Sequence, residues 1–261
     1  MASTCFLFLL VIVSVVNCLW QPTPSTTWTW QLQGTINTGK NVAVYDIDLF
    51  DAPVNTINQL KAAGKKIICY FSAGSYEEWR SDANTFPASV KGKNLDGWPG
   101  ERWLDIRQIQ TLGPIMSARL DLAKQKGCDC VEPDNVDAYT YGTSGTGFPL
   151  SYDDQRKYNI WLSQRAHERN LCIALKNDLS QIGDLLQYFD CAVNEQCWQY
   201  KECDKLLPFI NANKAVFNCE YGTKPNCTQA IQKKISSIQA TLDLDGTNMK
   251  MCNAQGQLVS F

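Results

Sequence analysis

The chain has 261 residues, enough for one large α/β barrel or two small domains. An apolar share of 44% suits a globular core, and 19% charged residues with a formal net charge of −2 exclude a generally basic nucleic-acid binder. With a single histidine, His167, the Ser-His-Asp and Cys-His hydrolases have no second candidate base, which leaves chemistry carried by carboxylates.

Residues 1–18 read as a secretory signal peptide. The run 6–16 is apolar, no Lys, Arg, Asp or Glu occurs before Trp20, and Cys18 offers a small residue at the cleavage point. That run is too short to span a bilayer comfortably, and no later segment is long and apolar enough. The expectation is an extracellular protein with no membrane partner, folded as one domain over 19–261 and acting as a monomer. Outside the signal lie Cys69, Cys128, Cys130, Cys172, Cys191, Cys197, Cys203, Cys219, Cys227 and Cys252. An even number in an exported chain reads as up to five disulfides. Cys197 with Cys203, and Cys227 with Cys252, are the pairs that spacing suggests. The spacings are not finger-like, so no metal is expected. Asn226-Cys227-Thr228 is a glycosylation sequon, which places its loop at the surface.

Residues 21–30 form an extended lead-in rich in Thr, Pro and Trp. The β-branched run 41–48 predicts a strand, 54–63 a helix stopped by Gly64, and 65–73 a buried strand. A short strand is expected at 103–106, an amphipathic helix at 109–126 stopped by Gly127, and a strand at 128–131. Helix 152–170 opens on Ser151 with a capping-box pattern. Strand 171–176, helix 179–188, strand 190–194, helix 203–212, strand 214–219, helix 228–237 and strand 248–252 complete the series. About eight buried strands alternating with helices argue for a parallel sheet, and the count favours a (β/α)8 TIM barrel stabilised by disulfides. No Gly-rich phosphate loop follows an early strand, so no nucleotide cofactor is expected.

In such a barrel the C-terminal strand ends carry the site. The expected ends hold Asp46 and Asp48, Tyr70 and Ser72, Asp105 and Arg107, Glu132 and Asp134, Lys176 and Asn177, Asn194 and Glu195, and Glu220 and Tyr221. Acids crowded at buried strand ends repel one another and lose hydration, so a fold that keeps them uses them. Asp134, aimed by Pro133, and Glu195 are the favoured catalytic pair for acid/base or nucleophilic chemistry on a sugar. Glu132 points into the barrel, where Lys176 or Arg107 would have to balance it. Asp137 is either a second catalytic candidate or a turn cap. Asp46 and Asp48 contact substrate or form salt bridges; Lys176 and Asn177 bind sugar hydroxyls or neutralise the acids. His167, on a helix, reads as a packing residue. Trp28, Trp30, Tyr70, Tyr76, Trp79, Trp98, Trp198 and Tyr221 include sugar-stacking candidates, the rest being core. The combined acids make the cleft negative, a match for cationic amino sugars.

The ordered segments Val-Tyr-Asp-Ile-Asp-Leu-Phe-Asp (44–51), Cys-Tyr-Phe-Ser-Ala-Gly-Ser-Tyr-Glu (69–77), Trp-Pro-Gly-Glu-Arg-Trp-Leu-Asp-Ile-Arg (98–107), Val-Glu-Pro-Asp-Asn-Val-Asp (131–137), Ala-Leu-Lys-Asn-Asp (174–178), Asn-Glu-Gln-Cys (194–197) and Glu220-Tyr221 resemble glycoside hydrolase family 114, the endo-α-1,4-polygalactosaminidases. The resemblance implies a (β/α)8 barrel that cleaves galactosaminogalactan, with Asp134 as nucleophile and Glu195 as acid/base in a retaining mechanism, and no cofactor. Asp46, Asp48, Tyr70, Glu132, Asp137, Lys176, Asn177, Glu220 and Tyr221 are the expected substrate-binding residues. The alternatives are a secreted carbohydrate-binding barrel without turnover and a hydrolase of another polysaccharide, since barrel families change substrate through their loops.

Overall fold

The computed structural model describes residues 19–261; the expected signal peptide at 1–18 lies outside the described residues. The dominant element is a curled sheet. Eight of its strands run parallel in the order β1 (Trp28–Gln31), β2 (Val44–Asp48), β3 (Lys66–Ser72), β7 (Cys130–Asp134), β8 (Cys172–Lys176), β9 (Cys191–Glu195), β10 (Val216–Tyr221) and β11 (Ser236–Ala240). Antiparallel β12 (Lys250–Cys252) and β13 (Leu258–Ser260) extend it beyond β11. Bonds also link the two ends of the parallel series. Trp28 Nε1 donates to Ser236 O at 2.8 Å, Ser25 N to Lys234 O at 3.2 Å and Leu32 N to Leu244 O at 2.8 Å.

Six crossovers carry helices: α1 (Val54–Ala62), α2 (Ile109–Lys126), α4 (Tyr152–His167), and the short α5 (Ile182–Leu185), α6 (Leu207–Asn211) and α7 (Cys227–Gln232). The β1–β2 connection has no helix. Between β3 and α2 the chain builds a separate antiparallel sheet from β4 (Ser75–Glu77), β5 (Lys91–Asn94) and β6 (Glu101–Leu104), in the order β4-β6-β5. A short α3 (Gly142–Thr146) follows β7.

Strand alternation divides the core in two. Val44, Ile68, Cys130, Ala174, Val193 and Phe217 face inward around Trp28 and Trp30. Tyr45, Ile47, Phe71, Val131, Ile173 and Leu175 face outward against Leu112, Met116, Leu120, Tyr158 and Leu162 of the helices. Each such side chain withdrawn from water stabilises the fold by about 1.5–3 kcal/mol. Helix ends follow the sequence: Gly127 caps α2 at φ 88°, and Ser151 with Asp154 forms the capping box of α4.

The strand count matches expectation, but the strands are not all the expected ones. The lead-in holds β1, and 236–240 is β11, where the helix 228–237 was expected to continue. The stretches around 103–106 and 248–252 belong to antiparallel strands outside the parallel series. β1, Trp-Thr-Trp-Gln, has strand-forming residues but is only four long, and β11 reads Ser-Ser-Ile-Gln-Ala, a sequence that its neighbours make a strand.

Of the up to five disulfides expected, four form: Cys69–Cys128, Cys130–Cys172, Cys197–Cys203 and Cys227–Cys252. Cys191 and Cys219 remain buried thiols. Cys219 sits opposite Glu195 while Ala192 sits opposite Val216, so the two thiols are about four strand positions, on the order of 13 Å, apart. Among the described residues no helix is long and apolar enough to cross a membrane.

Candidate active site

The C-terminal ends of β7, β8 and β9 open into a cleft of about 640 Å³. Each of these strands is followed at once by a residue in the left-handed region: Asn135 (φ 60°), Asn177 (φ 51°) and Gln196 (φ 60°). The chain therefore turns sharply as it leaves the sheet, and the last strand side chains stay on the cleft floor. Asn tolerates this conformation better than most residues; Gln196 holds it at some strain.

Asp134 ends β7 and Glu195 ends β9, with side chains 20% and 27% exposed. Lys176, buried at the end of β8, stands between them, its Nζ 3.1 Å from Asp134 Oδ1, 3.6 Å from Glu195 Oε2 and 3.2 Å from Glu132 Oε1. Tyr70 OH donates to Asp134 Oδ2 at 3.0 Å and Asn135 N to Oδ1 at 2.7 Å. Tyr221 OH donates to Glu195 Oε1 at 2.6 Å and Asn177 Nδ2 to Oε2 at 3.0 Å. Both carboxylates are thus fixed by side chains from neighbouring strands. Burial works against the charge of Lys176, but Asp134, Glu195 and Glu132 outweigh it and hold its pKa well above the ordinary lysine value. Burial, followed by the adjacent carboxylate (Asp134 for Tyr70, Glu195 for Tyr221), pushes both phenols well up, so they remain donors.

Asp46 and Glu132 lie fully buried below this layer. Glu132 lies within electrostatic reach of Asp46 and raises its pKa further. No well-directed N–H or hydroxyl donor among the described residues reaches either carboxyl, and Lys176 meets Glu132 as a charge rather than along a hydrogen-bond direction. Two carboxyls this deep, with a single cation beside them, favour protonation. Burial, then repulsion from Glu132, raises Asp46 well above the carboxylate range; burial, opposed by Lys176, brings Glu132 to about 7.

The expected contact residues separate accordingly. Asp48, Tyr70, Asp137, Lys176, Asn177 and Tyr221 line the cleft with Asp134 and Glu195. Asp46, Glu132 and Glu220 were also expected to touch substrate, but they are fully buried and do not line it. Glu220 instead accepts Trp198 N at 3.0 Å and Gln199 N at 3.2 Å, holding the chain just beyond Glu195. Asp48 is engaged by Arg80 at 2.7 Å. Asp105 and Arg107 pair with each other at 2.7 Å away from the cleft, because β6 belongs to the small sheet. Glu132 therefore finds Lys176, not Arg107. His167 meets Asp190 at 2.8 Å, in a bond that also orients β8 through Ile173 N.

The small sheet contributes cleft residues that strand-end reasoning overlooked: Glu77, Arg80 and Glu101, plus Asn135 and Tyr141 beyond β7. The sequence Tyr-Glu-Glu-Trp-Arg (76–80) was the available signal, since it concentrates charge beside an aromatic run. Burial brings Glu101 to about 7 against a hydrogen bond from Ser75, and Asp137 to about 7 with further repulsion from Asp134. Setting aside Glu77, Glu101 and Asp137, whose charge burial disfavours, Asp48, Asp51, Asp134, Glu195 and Asp243 line the cleft against Arg80 and Lys176 among the described residues, so its field is negative. The one grouping of possible metal ligands among the described residues is Cys130, Cys172 and Cys191, deep inside the sheet. Cys130 and Cys172 are joined in a disulfide and offer no thiolates.

The family model for glycoside-hydrolase family GH114 matches residues 14–256. The crystal structure of Aspergillus fumigatus Ega3 in complex with galactosamine aligns at 38% identity and a TM-score of 0.83, over 90% of this chain and 98% of that one. The glycoside hydrolase domain of PelA from Pseudomonas aeruginosa aligns at 11% identity and a TM-score of 0.67, over 85% of this chain and 96% of that domain. The trehalulose synthase MutB from Pseudomonas mesoacidophila MX-45 shares the fold at 11% identity and a TM-score of 0.53, over 75% of this chain and 56% of that one. Comparison with curated proteins finds no match.

Proposed function

This chain belongs to glycoside-hydrolase family GH114 and is a glycoside hydrolase, and we propose that it cleaves an α-1,4-linked galactosamine polymer, such as galactosaminogalactan, at internal bonds. The galactosamine held by the Ega3 structure and the surplus of acids in the cleft both support a cationic amino-sugar substrate. In this reading the eight parallel strands curl into a (β/α)8-type barrel, with bonds between the β1 and β11 regions closing the gap beside β12, which takes part of the free edge of β11. The four disulfides favour an extracellular protein, and the exposed Asn226, whose Oδ1 caps α7, keeps its Nδ2 free for a glycan.

Asp134 is the nucleophile and Glu195 the acid/base. The observation that carries this assignment is Lys176 lying between them. The nearest oxygens of the two carboxylates cannot be farther apart than the sum of their distances to its Nζ, 3.1 Å and 3.6 Å. That limit admits the separation of about 5–5.5 Å used in double displacement. Asp134 attacks the anomeric carbon while Glu195 passes its proton to the departing glycosidic oxygen. Glu195 then takes a proton from water, which displaces Asp134 and restores both groups. Lys176 and Tyr70 balance and orient Asp134; Tyr221 and Asn177 orient Glu195. Asp137, which lines the cleft and makes no salt bridge among the described residues, is available for a hydroxyl or ammonium group of the sugars.

Mass spectrometry after incubation with partly deacetylated galactosaminogalactan tests the reading. Wild type is expected to release short oligosaccharides, and Glu195→Gln and Asp134→Asn to lower the rate by at least 10²–10⁴-fold, roughly the worth of a positioned acid/base. Wild-type rates in either variant would overturn the assignment.

A further inference from the structure

Trp79 and Trp98 are 53% and 46% exposed, and both line the cleft. Exposure on that scale leaves a large apolar surface in water without a partner in the core. Their placement is built. In the small sheet β4 pairs with β6, with Glu77 opposite Glu101, and Glu78 N donates to Gly100 O at 3.1 Å. This bond draws the Trp79 segment against the Trp98–Gly100 turn, which is itself closed by Glu101 N donating to Trp98 O at 3.1 Å. Gly100 stands at φ 89°, and a Cβ there would come within 2.9 Å of the Trp79 ring. The missing side chain is what allows the indole to rest on the turn.

Trp79 forms the ridge between the cleft and a second depression bounded by Phe50, Val54 and Leu122. Asp51 borders both, with its side chain 78% exposed. It approaches Arg80 only at 3.6 Å, because Asp48 and Glu77 already hold that guanidinium at 2.7 Å and 2.8 Å. An open carboxylate and an open indole therefore border the same two depressions, at the rim rather than at Asp134 and Glu195.

We propose that Trp79, Trp98 and Asp51 form a distal hexosamine subsite, in which the apolar face of a pyranose lies on indole and its ammonium meets the Asp51 carboxylate. The polymer then leaves the catalytic cleft over Trp79, and the enzyme gains grip from units remote from the scissile bond. This inference rests on the proposed substrate class. It adds a specificity element carried by the small sheet rather than by the parallel strands.

The test measures binding of galactosamine oligosaccharides of increasing length, and of their N-acetylated counterparts, to Asp134→Asn protein by calorimetry. Affinity is expected to rise with length once the chain reaches the rim. Trp79→Ala and Trp98→Ala, both at exposed positions and checked by thermal melting, should each remove roughly tenfold of that rise, since a stacked aromatic contact of about 1.5 kcal/mol corresponds to that factor. Asp51→Asn should weaken the amino-sugar ligands several-fold and spare the N-acetylated ones. A length dependence that survives in both tryptophan variants, or an Asp51→Asn effect equal for the two ligand series, overturns the subsite. Turnover of the ligands by Asp134→Asn would instead sink the catalytic assignment, so the two failures are separate observations.

Discussion

Lys176 shows how a single side chain organises the site. Among the described residues it is the only cation within reach of Glu132, Asp134 and Glu195, and its ammonium lies 4.7 Å over the Trp30 ring. Removing one member of a buried ionic group leaves the others uncompensated, at a cost of about 3–5 kcal/mol. Lys176→Met is therefore expected to lower stability by that order in denaturant unfolding and to abolish turnover. Adding Glu132→Gln, which removes the most deeply buried of the stranded charges, should restore part of the stability and none of the activity. A Lys176→Met protein as stable as wild type would show that the buried acids balance one another without it. The sequence identified Lys176 as either a ligand for substrate or a neutraliser of acids; its three contacts make it a neutraliser at the floor of the cleft. The burial of Asp46 within reach of Glu132 was not legible, because alternation places both inside the sheet but says nothing of which inward residues meet across it.

At the level of elements, the site depends on how tightly the ends of β3 and β7 interlock. Ala73 N and Gly74 N both donate to Asp134 O, at 2.9 Å and 3.0 Å. A Cβ on Gly74 would fall 1.7 Å from Asn135 O, a backbone atom that cannot move without carrying Asp134 with it. Gly74→Ala should thus cost on the order of 1–3 kcal/mol through overpacking and displace the proposed nucleophile. Thermal melting combined with kcat/KM would read this as an activity loss larger than the stability loss alone explains; unchanged kcat/KM would mean that the strand end can give way. The small β4-β6-β5 sheet makes the opposite point. Its Trp-Leu-Asp run looked like one more barrel strand because short strands of a parallel and an antiparallel sheet share a period of two. Partner choice, decided by chain reversal at 95–100, moved it to the rim.

For the whole molecule, the buried acids predict a distinctive pH dependence. Glu101, Glu132 and Asp137 are raised to about 7 and Asp178 to about 8, from ordinary values of 4.5 for Glu and 3.8 for Asp, in every case chiefly by burial. Between about pH 4 and pH 8 the folded chain then holds more protons than the unfolded chain. Its stability is fully present below the unfolded values and is lost as pH rises through 7 and 8. The melting temperature is expected to fall from pH 5 to pH 8, and Asp178→Asn and Glu101→Gln should flatten the decline. A melting temperature that climbs over this range would show that these carboxyls are not held neutral in the fold.

Local chemistry determined much of this protein. Alternating buried strands and capped helices set the α/β class, Gly127 and Ser151 set helix ends, and acids at successive strand ends indicated a carboxylate-based hydrolase. These features depend on neighbours a few residues away, and a sequence displays them directly. Only the tertiary structure decided that Trp28–Gln31 and Ser236–Ala240 are strands, that Cys191 and Cys219 stay unpaired, and that Glu132 and Glu220 support the floor instead of facing substrate. Strand order and register make those decisions. A shift of partner or of one residue in register exchanges buried and exposed faces without altering any local pattern.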